Sequence, residues 1–142
     1  MTVCRPESPA FESGAEREAW RRLRQQLGGA DVLLANVRIT DHAKDHEADL
    51  IVVLPGAGIV VIEVKGGSVW CAADQWWQST SSGDRQIDPV RQVIGAQYAV
   101  RAYVENDPRW QSASARRVRW AHAVAVPATR LSDDFATPAL PR

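Results

Sequence analysis

Two apolar runs stand almost back to back in the middle of the chain, ADLIVVLP (48–55) and IVVIEVK (59–65), with only Pro55 to Gly58 at the join. Both are short and rich in β-branched residues, so each reads as a strand. The Pro-Gly turn suits a hairpin that pairs them as neighbours. Three charged residues interrupt the pair: Asp49 in the first strand, Glu63 and Lys65 in the second. Strand alternation puts Glu63 and Lys65 on one face. In a hairpin, Asp49 near the start of one strand and Glu63–Lys65 near the end of the other meet at the same end of the sheet. Burying charge there is costly unless the groups are paired or hold a metal. The pattern leaves two explanations open, a structural cluster of one lysine and two carboxylates, or a reactive centre.

The flanking sequence supplies the other elements. Residues 1–10 hold two prolines and no periodicity, and read as a loose tail. A helix is predicted from Glu12 or Ser13 to Leu27, with Ser13 as N-cap, Glu16 three residues on in a capping-box pattern, and Gly28–Gly29 as its stop. The run 31–39 reads as a strand, 40–47 as a polar loop, and 68–71 and 75–78 as short strands around a turn at Ala73 and Asp74. Residues 79–88 read as a polar loop. Asp88 then caps a helix with Pro89 at its first position, reaching about Val104. A last strand spans 117–127, and the remaining residues show no clear element. The order predicts an α/β fold with a mixed central sheet flanked by helices. Its domain runs over 11–130, and 131–142 form an irregular tail.

Length and composition set the outer limits. The 142 residues suffice for one compact domain, and 45% hydrophobic with 24% charged residues is a globular balance. No apolar run approaches the roughly 20 residues of a membrane span. The start of the chain lacks the apolar stretch of a signal peptide, and Cys4 and Cys71 cannot make a disulfide framework, so the expectation is a cytoplasmic protein without a membrane partner. Seventeen basic residues balance seventeen acidic ones. Tight binding to phosphates usually needs a basic protein, so any nucleic-acid contact rests on local groups. Arg21, Arg22 and Arg24 form one cluster and Arg116, Arg117 and Arg119 another, each equally readable as a solvated face. Only Lys44 and Lys65 are lysines among the seventeen cations, so a lysine beside two carboxylates stands out against a bias toward arginine.

Glu16 lies one helical turn before Trp20 on the stripe that continues through Leu23 and Leu27. A carboxylate on that side either closes the capping box or is aimed at the charged end of the hairpin. Asp49, Glu63 and Lys65 together suit phosphodiester hydrolysis. Two carboxylates hold a hard divalent cation, the cation polarises the phosphate and helps to generate the attacking nucleophile, and an ammonium beside it orients water or stabilises developing charge.

Asp49 followed by Glu63-Val64-Lys65 resembles the signature of the PD-(D/E)xK nuclease superfamily. More narrowly, FESGAEREAWRRL, EADLIVVLPGAGIVVIEVKGG, VWCAADQWWQ and DPVRQVIGAQY are similar to the nuclease-related domain, NERD, over roughly residues 11–127. The resemblance implies a restriction-endonuclease-like core. It implies a metal-dependent nuclease acting on DNA, or on RNA, with Glu16, Asp49, Glu63, Lys65 and Gln92 at the site. Mg²⁺ or Mn²⁺ would sit on Asp49, Glu63 and the main-chain carbonyl of Val64. It also leads one to expect closing elements beyond 117–127, so the expectation is a core that is either a fragment or a shortened form. The reading from a different class is a non-catalytic nucleic-acid or protein interaction module that keeps the fold.

Other signals are weaker. His42 and His46 have a spacing that could bind Zn²⁺ on a helix, but they lie in the stretch read as a loop. Cys71 has no histidine placed to activate it and reads as a half-buried strand thiol. Trp76 and Trp77 must face opposite sides of their strand, one of them available to stack on a base. Gly56-Ala57-Gly58 lacks the Lys-Ser/Thr of a phosphate loop.

Overall fold

A computed structural model describes residues 2–41, 44–112, 118–133 and 135. The elements run β1 (Val3–Arg5), α1 (Gly14–Gln26), β2 (Val32–Thr40), β3 (Asp45–Leu54), β4 (Gly58–Val64), β5 (Val69–Ala72), β6 (Gln75–Thr80), β7 (Gly83–Ile87), α2 (Pro89–Glu105), α3 (Pro108–Ser112) and β8 (Arg119–Ala125). Five strands form a mixed sheet in the order β1-β2-β3-β4-β8, and β5-β6-β7 form a separate ribbon. The β3–β4 hairpin is present as the sequence predicts, with Leu50 opposite Ile62 and Leu54 opposite Gly58. β8 runs parallel to β4. A parallel neighbour needs a long crossover, and here the crossover contains the whole ribbon and α2.

Each sheet face has its own helix, which is why the hairpin strands are apolar on both sides. Leu33, Leu50, Val52, Ile62 and Val64 pack with Ala19, Trp20, Leu23 and Leu27 on the α1 face. Ile51, Val61, Val93, Ala96 and Val100 form the α2 face. The fold is therefore the mixed α/β arrangement expected. Both helix starts also follow the sequence signals: Ser13 Oγ accepts from the Glu16 N–H at 3.2 Å, and Asp88 accepts from the Arg91 N–H. Gly58 is required at its position, because a Cβ there would come within 2.5 Å of the Arg119 carbonyl oxygen. Glycine lets β8 lie alongside β4.

Four segments differ from expectation. Val3–Arg5 is not a loose tail but a parallel edge strand on β2, with Cys4 buried in the α1 core. The partner edge belongs to a strand nearly thirty residues away, which local pattern does not reveal. The stretch 40–47 is largely strand, since β2 reaches Thr40 and β3 begins at Asp45. The stretch read as a polar loop at 79–88 contains β7, whose residues Gly83 to Gln86 are exposed. A strand without a buried face shows no alternation for a sequence to display. Finally, α3 is an extra turn of helix after Pro108, started by Asp107, whose Oδ1 accepts from the Arg109 N–H at 2.8 Å.

Candidate active site

The site lies at the end of the β3–β4 pair away from its turn. Asp49 sits where β3 changes the face it presents. Leu50 and Val52 pack toward α1 and Ile51 toward α2, yet Ala48 also packs toward α2. Strict alternation would send Ala48 the other way. The neighbouring strand breaks at the same level. The ladder passes from Ala35↔Leu50 to Val37↔Ala48, and Asn36 between them has a left-handed backbone, φ 56°. Asparagine is one of the few side chains that adopts it readily, and its Nδ2 donates to the Ala10 carbonyl at 2.8 Å.

Asp49 is held from β4: its Oδ2 accepts from the Val64 N–H at 2.8 Å. In an extended residue the N–H and C=O point to the same edge of the strand, so the Val64 carbonyl faces the Asp49 side as well. Glu63 and Lys65 share the α2 face as alternation predicts, with Lys65 Nζ 3.2 Å from Glu63 Oε1 and both side chains 12% exposed. Burial, then the Asp49 charge, push the Glu63 carboxyl up to about 7, against the pull of Lys65. Burial also raises Asp49, opposed chiefly by the Val64 N–H. The end of the hairpin thus holds more negative charge than its one lysine balances.

Helix α1 brings Glu16 to this group. A Cβ on Gly66 would come within 3.0 Å of the Ala15 Cβ, so the glycine after Lys65 permits the helix to sit close. The Glu16 carboxyl is raised by burial first and the Asp49 charge second, and lowered by a hydrogen bond with Ser13. The Glu16 carboxyl therefore interacts with both the Ser13 side chain and the Asp49 charge, while the cap itself is the Glu16 backbone N–H on Ser13 Oγ.

Gln92, exposed on the first turns of α2, divides two clefts. One, of about 280 Å³, has Asp49, Glu63, Glu47, His46 and Lys44 in its walls. The other, about 260 Å³, is lined by Lys65, Arg85, Asp88 and Gln92. The structure thus brings Asp49, Glu63, Lys65 and Gln92 to two adjoining clefts, with the Glu16 carboxyl in electrostatic reach of Asp49 and Val64 contributing main chain. Sequence reasoning missed Glu47, whose charge acts on Glu16, Asp49 and Glu63. Its signal was the alternation Asp45, Glu47, Asp49, visible only once β3 is known to begin early. Arg85 was missed because its strand was read as a loop.

These geometries stand beside one comparison. Residues 12–126 match the nuclease-related domain family. The chain belongs to the NERD family. The matched part of this NERD domain takes in α1, the charged hairpin, the ribbon, α2 and β8, and leaves β1 outside. No curated protein and no solved structure gives a significant match to the chain.

The weaker sequence signals resolve differently in this NERD domain. His42 lies outside the described residues. His46 Nε2 is 2.9 Å from Asp41 Oδ2 and in a strand. Among the described residues, no three His, Cys, Asp or Glu side chains converge as a group that could hold a metal ion. What the hairpin offers is two carboxylates and a main-chain carbonyl, a hard oxygen set of the kind used by a cation that keeps most of its waters. Arg21 and Arg22 are both paired with Glu18, and Arg24 lies over the Trp20 ring at 5.2 Å. Arg116 and Arg117 fall outside the described residues. Burial raises the Cys71 thiol, which disfavours the thiolate. Trp76 is buried against Phe135 and Trp77 is half-buried. No helix among the described residues is long and apolar enough to cross a membrane.

Proposed function

We propose that this NERD domain is a divalent-metal-dependent nuclease that hydrolyses phosphodiester bonds in DNA. The observation that carries the reading is the convergence of Asp49, Glu63 and Lys65 at one hairpin end, with Asp49 locked by the Val64 N–H. Asp49, Glu63 and the Val64 carbonyl would hold Mg²⁺ or Mn²⁺. The donor set fits such an ion: it is all oxygen, burial raises both carboxyls, and neighbouring charge adds to this, Asp49 on Glu63 and Glu47 on Asp49, a strain that a cation relieves. When bound, the cation supplies Lewis-acid polarisation of the phosphate and a more acidic water.

The chain's own groups do the rest. Lys65 is anchored between the sheet and Glu63, so its ammonium is preorganised for the charge that develops on a phosphate oxygen. Gln92 stands at the junction of both clefts, where its amide can donate to a phosphate or orient water. Glu16 adds negative charge near Asp49, which favours a cation at the site. A mostly apolar hairpin sets all of this on a rigid base.

Incubating purified protein with supercoiled and linear DNA tests the reading. Cleavage is expected with Mg²⁺ or Mn²⁺ and abolished by EDTA. Lys65→Ala should cut at least about a hundredfold more slowly, the scale of losing one preorganised electrostatic group. A Lys65→Ala protein that cuts like wild type would remove the assignment. A wild type that binds DNA yet never cuts it would leave the interaction module in its place.

A further inference from the structure

We propose that Arg85 is a phosphate-binding residue, and that the cleft it shares with Lys65 holds the nucleic-acid strand beside the phosphate being cleaved. This rests on the nuclease reading and adds to it the surface that holds the substrate.

The observation is how Arg85 is held. Gln78 is a buried polar residue, 8% exposed. Its Nε2 donates to the Gly66 carbonyl at 2.8 Å, and its Oε1 accepts from both Nε and Nη2 of Arg85, at 3.1 and 2.9 Å. The network therefore starts at the residue after Lys65, crosses from the sheet to the ribbon, and ends on the guanidinium. One edge of the guanidinium, Nε with one hydrogen of Nη2, is consumed by Gln78. The other edge, Nη1 with the second hydrogen of Nη2, has no partner among the described residues, and two parallel N–H donors are the shape that grips a pair of phosphate oxygens.

The partner is also informative. An arginine that serves structure is commonly joined to a carboxylate, which cancels its charge. Gln78 is neutral, so it fixes the guanidinium and leaves the charge intact. The acid in the same cleft, Asp88, is engaged elsewhere: Oδ1 accepts from the Arg91 N–H and Oδ2 lies 3.0 Å from Arg91 Nε. Among the described residues Arg85 makes no ion pair, a property it shares with Arg5, Arg17, Arg24, Arg119 and Arg130, but it lines the cleft beside Lys65 and is fixed there by Gln78. In a chain whose formal charge sums to zero, such a cation opening onto the cleft beside Lys65 is where a polyanion gains most. The cleft of about 260 Å³ also takes in Gln86 and Gln92 as neutral donors. The acidic cleft beyond Gln92 repels the same chain of phosphates except where a cation bridges it, so the two clefts together define one path.

The test uses the full chain in EDTA, so that no cleavage occurs, and a labelled DNA duplex. Fluorescence anisotropy gives Kd at several salt concentrations between about 50 and 200 mM. Arg85→Gln should weaken binding roughly tenfold, the size of one charge-assisted contact. It should also flatten the slope of log K against log salt by about 0.9, one phosphate's worth of released counterion. Arg85→Lys keeps the charge and loses the fork, so its slope should stay at the wild-type value while its affinity falls. Unchanged slope and affinity in Arg85→Gln would overturn the proposal. So would a wild type that shows no salt-dependent binding. Failure of the nuclease reading is separately visible, as a wild type that binds DNA through Arg85 and leaves it uncut with Mn²⁺.

Discussion

The five-stranded sheet and the three-stranded ribbon are both hydrogen-bonded ladders, yet they are stabilised in different ways. In β3 and β4 apolar side chains face both helices, and Leu50 and Val61 are fully buried. In the ribbon, Trp76 and Gln78 go inward while β7 lies in solvent over Gly83 to Gln86. The sheet is therefore a rigid base that tolerates little change, and its cost of placing charge is high. The ribbon can carry polar groups freely. The candidate chemistry lies at the seam, where Gln78 of the ribbon binds the carbonyl of Gly66 just past β4. A site made of buried carboxylates, a largely buried lysine and an accessible arginine needs both kinds of support.

The sharpest way to break this contrast is to cut into each part. Leu50→Ala should cost about 2–5 kcal/mol in urea unfolding, the range for a fully buried leucine. Gln86→Ala, on the exposed strand, should stay within roughly 0.5 kcal/mol. Comparable losses at both positions would show that the ribbon is as integral to the core as the sheet.

A smaller effect distinguishes a metal site from a salt-bridged cluster at the sheet end. A cation that binds only the folded chain adds about 1.4 kcal/mol at ten times its Kd, on the order of 3–6 °C for a domain of this size. Millimolar Mn²⁺ should therefore raise the wild-type Tm. Asp49→Asn keeps an oxygen for the Val64 N–H but removes a charge that repels Glu16, Glu47 and Glu63. In EDTA it should melt above the wild type, and Mn²⁺ should shift it little. A lower Tm in EDTA, with a wild type indifferent to Mn²⁺, would mark the cluster as an ordinary stabilising ion group.

Acidification should act in the same direction, and more gently. Glu63 has its carboxyl raised to about 7 in the fold, against about 4.5 when free, and Glu16 and Asp49 are raised too. A raised carboxyl binds its proton more tightly in the native state, so the associated stability is complete below the unfolded value and is lost as pH rises through the folded one. In EDTA the Tm should thus rise as pH falls from about 8 to about 5. Glu18 and Asp107, both lowered to about 2, act oppositely, and only below the ordinary carboxylate range. A flat Tm across that window would mean that Glu63 is not held up by burial.

The smallest change is expected from Glu16→Gln. Ser13 still accepts from the backbone N–H at position 16, so the cap survives, and losing a carboxylate that Asp49 repels should leave the Tm in EDTA at or slightly above the wild-type value. Cleavage should fall if the carboxylate supports the metal site. Equal activity would reduce Glu16 to capping.

The hairpin, both long helices and the meeting of Asp49 with Glu63 and Lys65 could be read from the sequence, because each rests on short-range patterning. A run such as IVVIEV admits few conformations, a cap acts within four residues, and a two-residue period places Glu63 and Lys65 on one face whatever surrounds them. The tertiary structure decided what depends on distant partners. Cys4 and its neighbours become a strand only because β2 has a free edge. β7 is a strand only because β6 lies beside it, since its exposed side chains carry no periodic signal. Glu47 joins the carboxylates because β3 starts three residues earlier than its apolar stretch. Gln78 and Arg85, seven residues apart, become a fixed cation near Lys65 because the ribbon folds back onto Gly66, and no local propensity records that contact.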